Sequence, residues 1–139
     1  MMSGGSALCR EAEPIPEATD NAARQVVDAA YRVHKKLGPG LLENVYEICL
    51  VHELVNRGLR VKTQVSQPIE YDGVKLDAGL RWDMVVADCV VVELKSVDRL
   101  APVHQAQLLS YLRLSGHRLG LLINFKVPII KEGIKRIAL

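Results

Sequence analysis

The feature that most constrains this chain is a change of hydrophobic period near Gly58. Between Asp20 and Asn56 apolar residues recur every three or four positions, whereas from Leu59 onward they recur every second position. A chain written this way starts with helices and continues with a sheet. Ala22, Val26, Val27, Ala30, Val33 and Leu37 mark one face of a first helix, with Thr19 or Asp20 as the expected cap. Gly38-Pro39-Gly40 stops it, and a second helix is expected from Leu41 to about Asn56, with Gly58 as its terminator.

The strand region begins with the alternating "LRVKTQVSQ". Pro68 is expected to restart the chain, "PIEY" reads as a short strand, and Asp72-Gly73 is a turn signal before "VKL". Two further strands lie in "RWDMVVADCVVVELKSV", Arg81 to Val97. Pro102 suits the first turn of a third helix that ends near Gly116. "RLGLLINF" is a continuous apolar run of strand length, the pattern of a strand covered on both faces, and "IKRIAL" reads as an edge strand. The order predicts an α+β or α/β layer fold, a mixed central sheet flanked by helices. At 139 residues the chain suits one domain. Residues 1–18 are expected to form a flexible tail and 19–139 the single domain.

Composition narrows the functional classes only a little. The 49% hydrophobic content rests on aliphatic side chains, with one Phe and one Trp. A net charge of +2 is too small to argue for a phosphate-binding surface by itself. Cys9, Cys49 and Cys89 are odd in number and widely spaced, which suits a reducing compartment; with no apolar leader or membrane-length segment in view, the expected location is the cytoplasm and no membrane partner is expected.

The candidate chemistry lies on the strand pair. Glu93 and Lys95 share a strand face, as do Arg81 and Asp83 on the strand before. A two-residue loop at Ala87-Asp88 would pair residue 83 with 92 and separate the carboxylates. A three-residue loop at 87–89, or one bulge, would pair 83 with 93 and bring them together. Two carboxylates on an apolar sheet repel and lose hydration, and a divalent cation between them would offset both costs. Mg²⁺ would accept two carboxylates and a backbone carbonyl while keeping several waters. Lys95 beside them could orient a water or neutralise charge on a phosphate oxygen. That chemistry requires the second register, which is therefore the expected one. The plain alternative is a Glu93–Lys95 ion pair on a solvated edge, although "VVVELK" is too apolar to suit it.

Other polar residues converge from the helices. Gly40, Glu43 and Tyr46 stand at three-residue intervals, with Glu43 in the first turn of the second helix, where an acid is favoured in any case. His104, Gln107, Tyr111 and Ser115 form a stripe beside Leu108 on the third helix, which suits either a pocket border or an ordinary amphipathic boundary. His34 suits the end of the first helix, where a cation is favoured, ahead of a ligand role; Asn124 and Arg136 are further polar residues in apolar strands, Arg136 fitting either phosphate binding or plain exposure.

"LGPGLLENVYE" resembles the signature of the GxxExxY proteins, and the likeness continues through "RWD", "VVVELKS", "HQAQLLSYL", "GLLINF" and "GIKRI". That family is placed in the PD-(D/E)XK nuclease superfamily. The resemblance implies a restriction-endonuclease-like core with a mixed four-stranded sheet and the active site at one side of it. It makes Asp83 the motif aspartate, Glu93 and Lys95 the E-x-K pair, and Glu43 the helical acid that completes the metal site. Gln107 and Tyr111 match the Q-x-x-x-Y element beside the site. Trp82 stands where Pro precedes the aspartate in the motif. The expectation is a Mg²⁺- or Mn²⁺-dependent nuclease. Glu43, Asp83, Glu93 and the Leu94 carbonyl would hold metal, Lys95 would position water, and Gln107 and Tyr111 would orient Lys95 or the phosphate. The expected partner is nucleic acid, DNA ahead of RNA, with a homo-oligomer also expected. The rival expectation is a catalytically silent nuclease fold that binds nucleic acid or assembles as a scaffold.

Overall fold

The structure is a computed structural model that describes residues 13–139, so Cys9 and most of the expected tail lie outside the described residues. Helix α1 spans Glu17–Leu37 and buries Ala22, Ala23, Val26, Ala29, Ala30 and Val33, the face its sequence period marks out. It starts earlier than expected. Pro16 occupies the N-cap and its carbonyl accepts from the Asp20 amide at 3.0 Å, while Thr19 is buried as a helical residue. Glu17 and Ala18 therefore belong to the helix and not to a tail. Helix α2 spans Glu43–Asn56 and buries Tyr46, Leu50 and Leu54, one turn apart. It begins two residues later than expected, with Leu42 as its extended N-cap.

Strands β1 (Val61–Tyr71) and β2 (Val74–Val86) form one long antiparallel hairpin where four shorter pieces were expected. Pro68 does not end β1. It sits in a register shift between Gln67 and Ile69, and on an outermost strand a missing amide costs no ladder bond. Asp72 and Gly73 both take left-handed angles at the turn, as the Asp-Gly pair predicts. After β2 come β3 (Val90–Lys95), helix α3 (Pro102–Ser115), the fully buried β4 (Leu119–Asn124), a short 3₁₀ turn and β5 (Ile134–Ala138).

The sheet has five strands in the order β1-β2-β3-β4-β5, one more than the resemblance implied. Only β3 and β4 are parallel, joined by α3; the other neighbours are antiparallel. Helices α1 and α2 cover one face, packing on Met84, Val86, Val90, Val92 and Leu94, with Leu121 and Ile123 from β4. Helix α3 covers the other through Leu108 and Leu112, against Trp82, Val85, Val91 and Leu122. The result is a three-layer α/β/α arrangement with a mixed sheet in the middle. Among the described residues no helix is long and apolar enough to cross a membrane.

Candidate active site

The β2–β3 connection decides whether the two strand carboxylates meet. Ala87 and Asp88 both adopt left-handed angles, φ 53° and 57°, and the Cys89 amide closes the turn on the Val86 carbonyl at 3.1 Å. The flanking pair is Val86 with Val90, so three residues lie between them. Asp88 is held from outside by Arg60 at 3.0 Å and Lys62 at 2.9 Å. Counting back through Val85–Val91 and Met84–Val92, Asp83 falls opposite Glu93, the register the chemistry requires.

At that position side chains replace the ladder. The Asp83 amide donates to Glu93 Oε1 at 3.0 Å, and the Leu94 amide donates to Asp83 Oδ2 at 2.7 Å. Each carboxylate is thus tied to the opposite strand's backbone. The exchange coincides with a break in the alternation of β2, because Trp82 packs on the α3 face while Met84, two residues on, packs on the α1–α2 face.

Burial dominates the electrostatics. Desolvation, reinforced by the Asp83 charge, pushes the Glu93 carboxyl up to about 7. Desolvation also raises Asp83, against the lowering effects of the Leu94 amide and the Lys95 charge. Glu43, at the first residue of α2, is raised by its own burial and then by Asp83. Glu47, one turn further along α2, is raised for the same two reasons. Lys95 lowers Glu43, Asp83 and Glu93, yet forms no ion pair within 4.0 Å among the described residues. The acids outnumber the nearby cation, and hard, half-buried carboxylate oxygens suit a divalent ion of the Mg²⁺ or Mn²⁺ kind. Among the described residues no three His, Cys, Asp or Glu side chains are gathered into a ready-made metal site. Asp83 and Glu93 are the joined pair, and Glu43 communicates with them through charge.

Tyr46 explains how Glu43 arrives there. Its ring stacks on Phe125 at 4.4 Å with planes 4° apart. Its hydroxyl donates to the Gly38 carbonyl and accepts from the Leu41 amide at 3.0 Å, folding the Gly-Pro-Gly loop over the start of α2. Gly38 has φ 72°, a conformation that favours glycine. Ser96, just past β3, donates to the Leu41 carbonyl at 2.9 Å and fastens the loop to the strand that carries Glu93 and Lys95.

The family model of the PD-(D/E)XK nuclease superfamily matches residues 20–137, nearly the whole chain. The chain belongs to that superfamily. No curated protein matches it. Among solved structures it is similar to the crystal structure of SSO0001, at 20% identity and a TM-score of 0.46, over 91% of this chain and 69% of that one.

As a superfamily member the chain places its remaining polar residues unevenly. Tyr111 meets Trp82 edge-on at 4.8 Å between ring centroids, next to Asp83 in sequence, and forms no hydrogen bond to Lys95. Gln107 is exposed on α3. His104 caps its own helix by accepting from the Ala101 amide at 3.0 Å. Ser115 donates to the Leu112 carbonyl at 3.3 Å. Only the backbone of Leu94 is available to the site, since its side chain is core. His34 bonds the Val127 carbonyl, Asn124 brackets Val97 with two bonds, and Arg136 pairs with Asp20, so all three are structural. Sequence reasoning missed Glu47 and Gln64. The Glu43–Glu47 spacing of four was a visible signal for the first, because it places both acids on one helix face. Nothing in the sequence marks Gln64, which has φ 51° and donates through Nε2 to Glu47 Oε1 at 3.2 Å.

Proposed function

We propose that the chain is a Mg²⁺- or Mn²⁺-dependent nuclease of the GxxExxY type, acting on DNA in preference to RNA. Gly40, Glu43 and Tyr46 support that placement within the superfamily. The observation that carries the reading is the exchange between Asp83 and Glu93, two half-buried carboxylates locked to each other's strands with Lys95 two residues beyond Glu93. Asp83, Glu93 and the Leu94 carbonyl would hold the ion, with Glu43 adding charge from α2. A bound divalent ion supplies Lewis-acid polarisation of the phosphate and a more acidic water.

The residues of the chain supply the rest. Lys95 holds the attacking water by hydrogen bonding and offsets negative charge that grows on the phosphoryl oxygens. Burial raises the Glu93 carboxyl to about 7 in the metal-free chain, so a proton and the ion would compete for it near neutral pH. Tyr111 steadies Trp82 and through it the Asp83 backbone, whereas the exposed Gln107 is free to reach a phosphate.

The test is incubation of purified protein with labelled single- and double-stranded DNA and RNA, in Mn²⁺, Mg²⁺ or EDTA. Cleavage should require the ion and disappear in Asp83→Asn and Glu93→Gln. Binding without cleavage under every ion would instead identify a silent nuclease fold.

A further inference from the structure

Strand β1 breaks its alternation at the same level as β2. Val61 packs with the α1–α2 core and Val65 with the α3 core, although four residues of a regular strand would keep them on one face. Thr63 pairs with Met84 and Val65 with Trp82, so the residues between, Gln64 and Asp83, face each other where both strands change sides. Gln64 has the left-handed φ of 51° at this crossing. An L-residue other than Asn, Asp or Gly is rarely found there, and such angles persist where the surroundings impose them.

The crossing is what frees Asp83. In an unbroken ladder its side chain would stand on the face opposite Trp82 and Met84; here its carboxylate bonds the Leu94 amide of β3, and its own amide bonds the Glu93 side chain. The Gln64 side chain then spans outward to Glu47 on α2, donating at 3.2 Å to Oε1 and at 3.5 Å to Oε2. The same amide acts against the burial-driven rise of the Asp83 carboxyl. One residue therefore joins the helix that carries Glu43 and Glu47 to the strand crossing that carries Asp83.

We infer that Gln64 is a positioning residue: its left-handed backbone creates the paired face switch that turns Asp83 toward Glu93, and its amide fixes Glu47 of α2 against that crossing. The inference rests on the metal-dependent reading of the site. Its backbone part has a readout independent of metal, because Trp82 is the only tryptophan and directly precedes Asp83.

The experiment uses the full chain and three variants. Gln64→Gly keeps the left-handed angle and removes the amide; Gln64→Asn tolerates the angle and keeps a shorter amide; Gln64→Val opposes the angle. Trp82 emission is recorded in EDTA, and Mn²⁺ alone is titrated by calorimetry. Gln64→Val is expected to shift Trp82 emission and weaken Mn²⁺ binding by about tenfold or more, the usual cost of losing an outer support of a metal site. Gln64→Gly should leave the emission in place and weaken Mn²⁺ binding less, with Gln64→Asn between it and the parent. Parent-like emission and Mn²⁺ affinity in Gln64→Val would overturn the inference. If Gln64→Val does not fold, parent-like Mn²⁺ affinity in Gln64→Gly overturns the amide's role, and displaced emission there overturns the backbone's. A parent chain that binds no Mn²⁺ at all defeats the metal reading instead, leaving the emission comparison to decide the face switch.

Discussion

Asp83 and Glu93 each accept a backbone amide from the other's strand, Glu93 from Asp83 itself at 3.0 Å and Asp83 from Leu94 at 2.7 Å. The arrangement holds two carboxylates together in a half-buried place, and its cost is written in their proton affinities. Glu93 rises from 4.5 to about 7, so across that interval the folded chain binds a proton that the unfolded chain releases. This group's contribution to stability is therefore fully present below about pH 4.5 and is lost as pH rises through about 7. The loss is of the order of 3 kcal/mol at most. Asp83, Glu43 and Glu47 act in the same direction, while the exposed Asp88 and Asp98, lowered by their lysine partners, act weakly in the other. Thermal melts in EDTA should show a lower midpoint at pH 7.5 than at pH 5.5, and Glu93→Gln should flatten that difference. A melting point that climbs with pH in EDTA would contradict the burial-driven account.

Lys95 is the cation that offsets the acids without pairing with any one of them. Replacing it with Met keeps the stem and removes the charge, so the carboxylates repel more and should bind Mn²⁺ at least as tightly as before. Turnover should fall by about 10²–10⁴-fold, the range for losing a group that manages charge or a proton in the transition state. Single-turnover cleavage alongside calorimetric Mn²⁺ binding separates the two effects. Retained cleavage in Lys95→Met would remove Lys95 from the chemistry.

The helices and β4 were legible in the sequence because each buries one dominant pattern: the three–four spacing of Val26, Ala30 and Val33, or the unbroken run Leu119–Ile123. The Asp83–Glu93 register was legible only through the requirement that the carboxylates meet, since Ala87-Asp88 alone fits either loop length. What stayed hidden depends on torsion and not on residue type. Nothing in "KTQVS" announces a left-handed Gln64, and the hairpin of β1 and β2 is continuous because Pro68 lies at a register shift on an outer strand. The α3 stripe was visible, yet spacing alone could not show that Tyr111 would turn to Trp82 and Gln107 to solvent.

Tyr46 ties Glu43 to the site through the loop before α2. Phe at this position keeps the stack on Phe125 but leaves the Gly38 carbonyl and the Leu41 amide without their partner. Tyr46→Phe should lower stability by about 1–3 kcal/mol, the cost of partly buried polar groups left unpaired. Urea unfolding measures this directly. Because the loop also anchors Ser96, the same variant should weaken Mn²⁺ binding, while Tyr46→Leu should lose more stability by giving up the stack as well.

Gly133 enforces the closest approach between β4 and the turn that leads into β5. A Cβ there would lie 2.1 Å from the Asn124 carbonyl oxygen and 3.0 Å from Val127 Cγ2, and backbone cannot yield as a side-chain tip can. Asn124 is itself committed, its side chain holding Val97 by two hydrogen bonds and its backbone paired beside Lys95. Gly133→Ala must therefore push the turn away or tilt Asn124, and the second route displaces the strand end that carries Lys95. The expected cost is about 1–3 kcal/mol, in the range of core overpacking. Gly120 provides the comparison, since a Cβ there meets only Leu108 side-chain carbons at 3.1–3.2 Å, which can rotate. Gly120→Ala should cost less than Gly133→Ala in urea unfolding, and only Gly133→Ala should also reduce Mn²⁺-dependent cleavage at a temperature where both variants are folded. Equal stability losses would show that the turn relaxes freely and that Gly133 is not a spacing constraint.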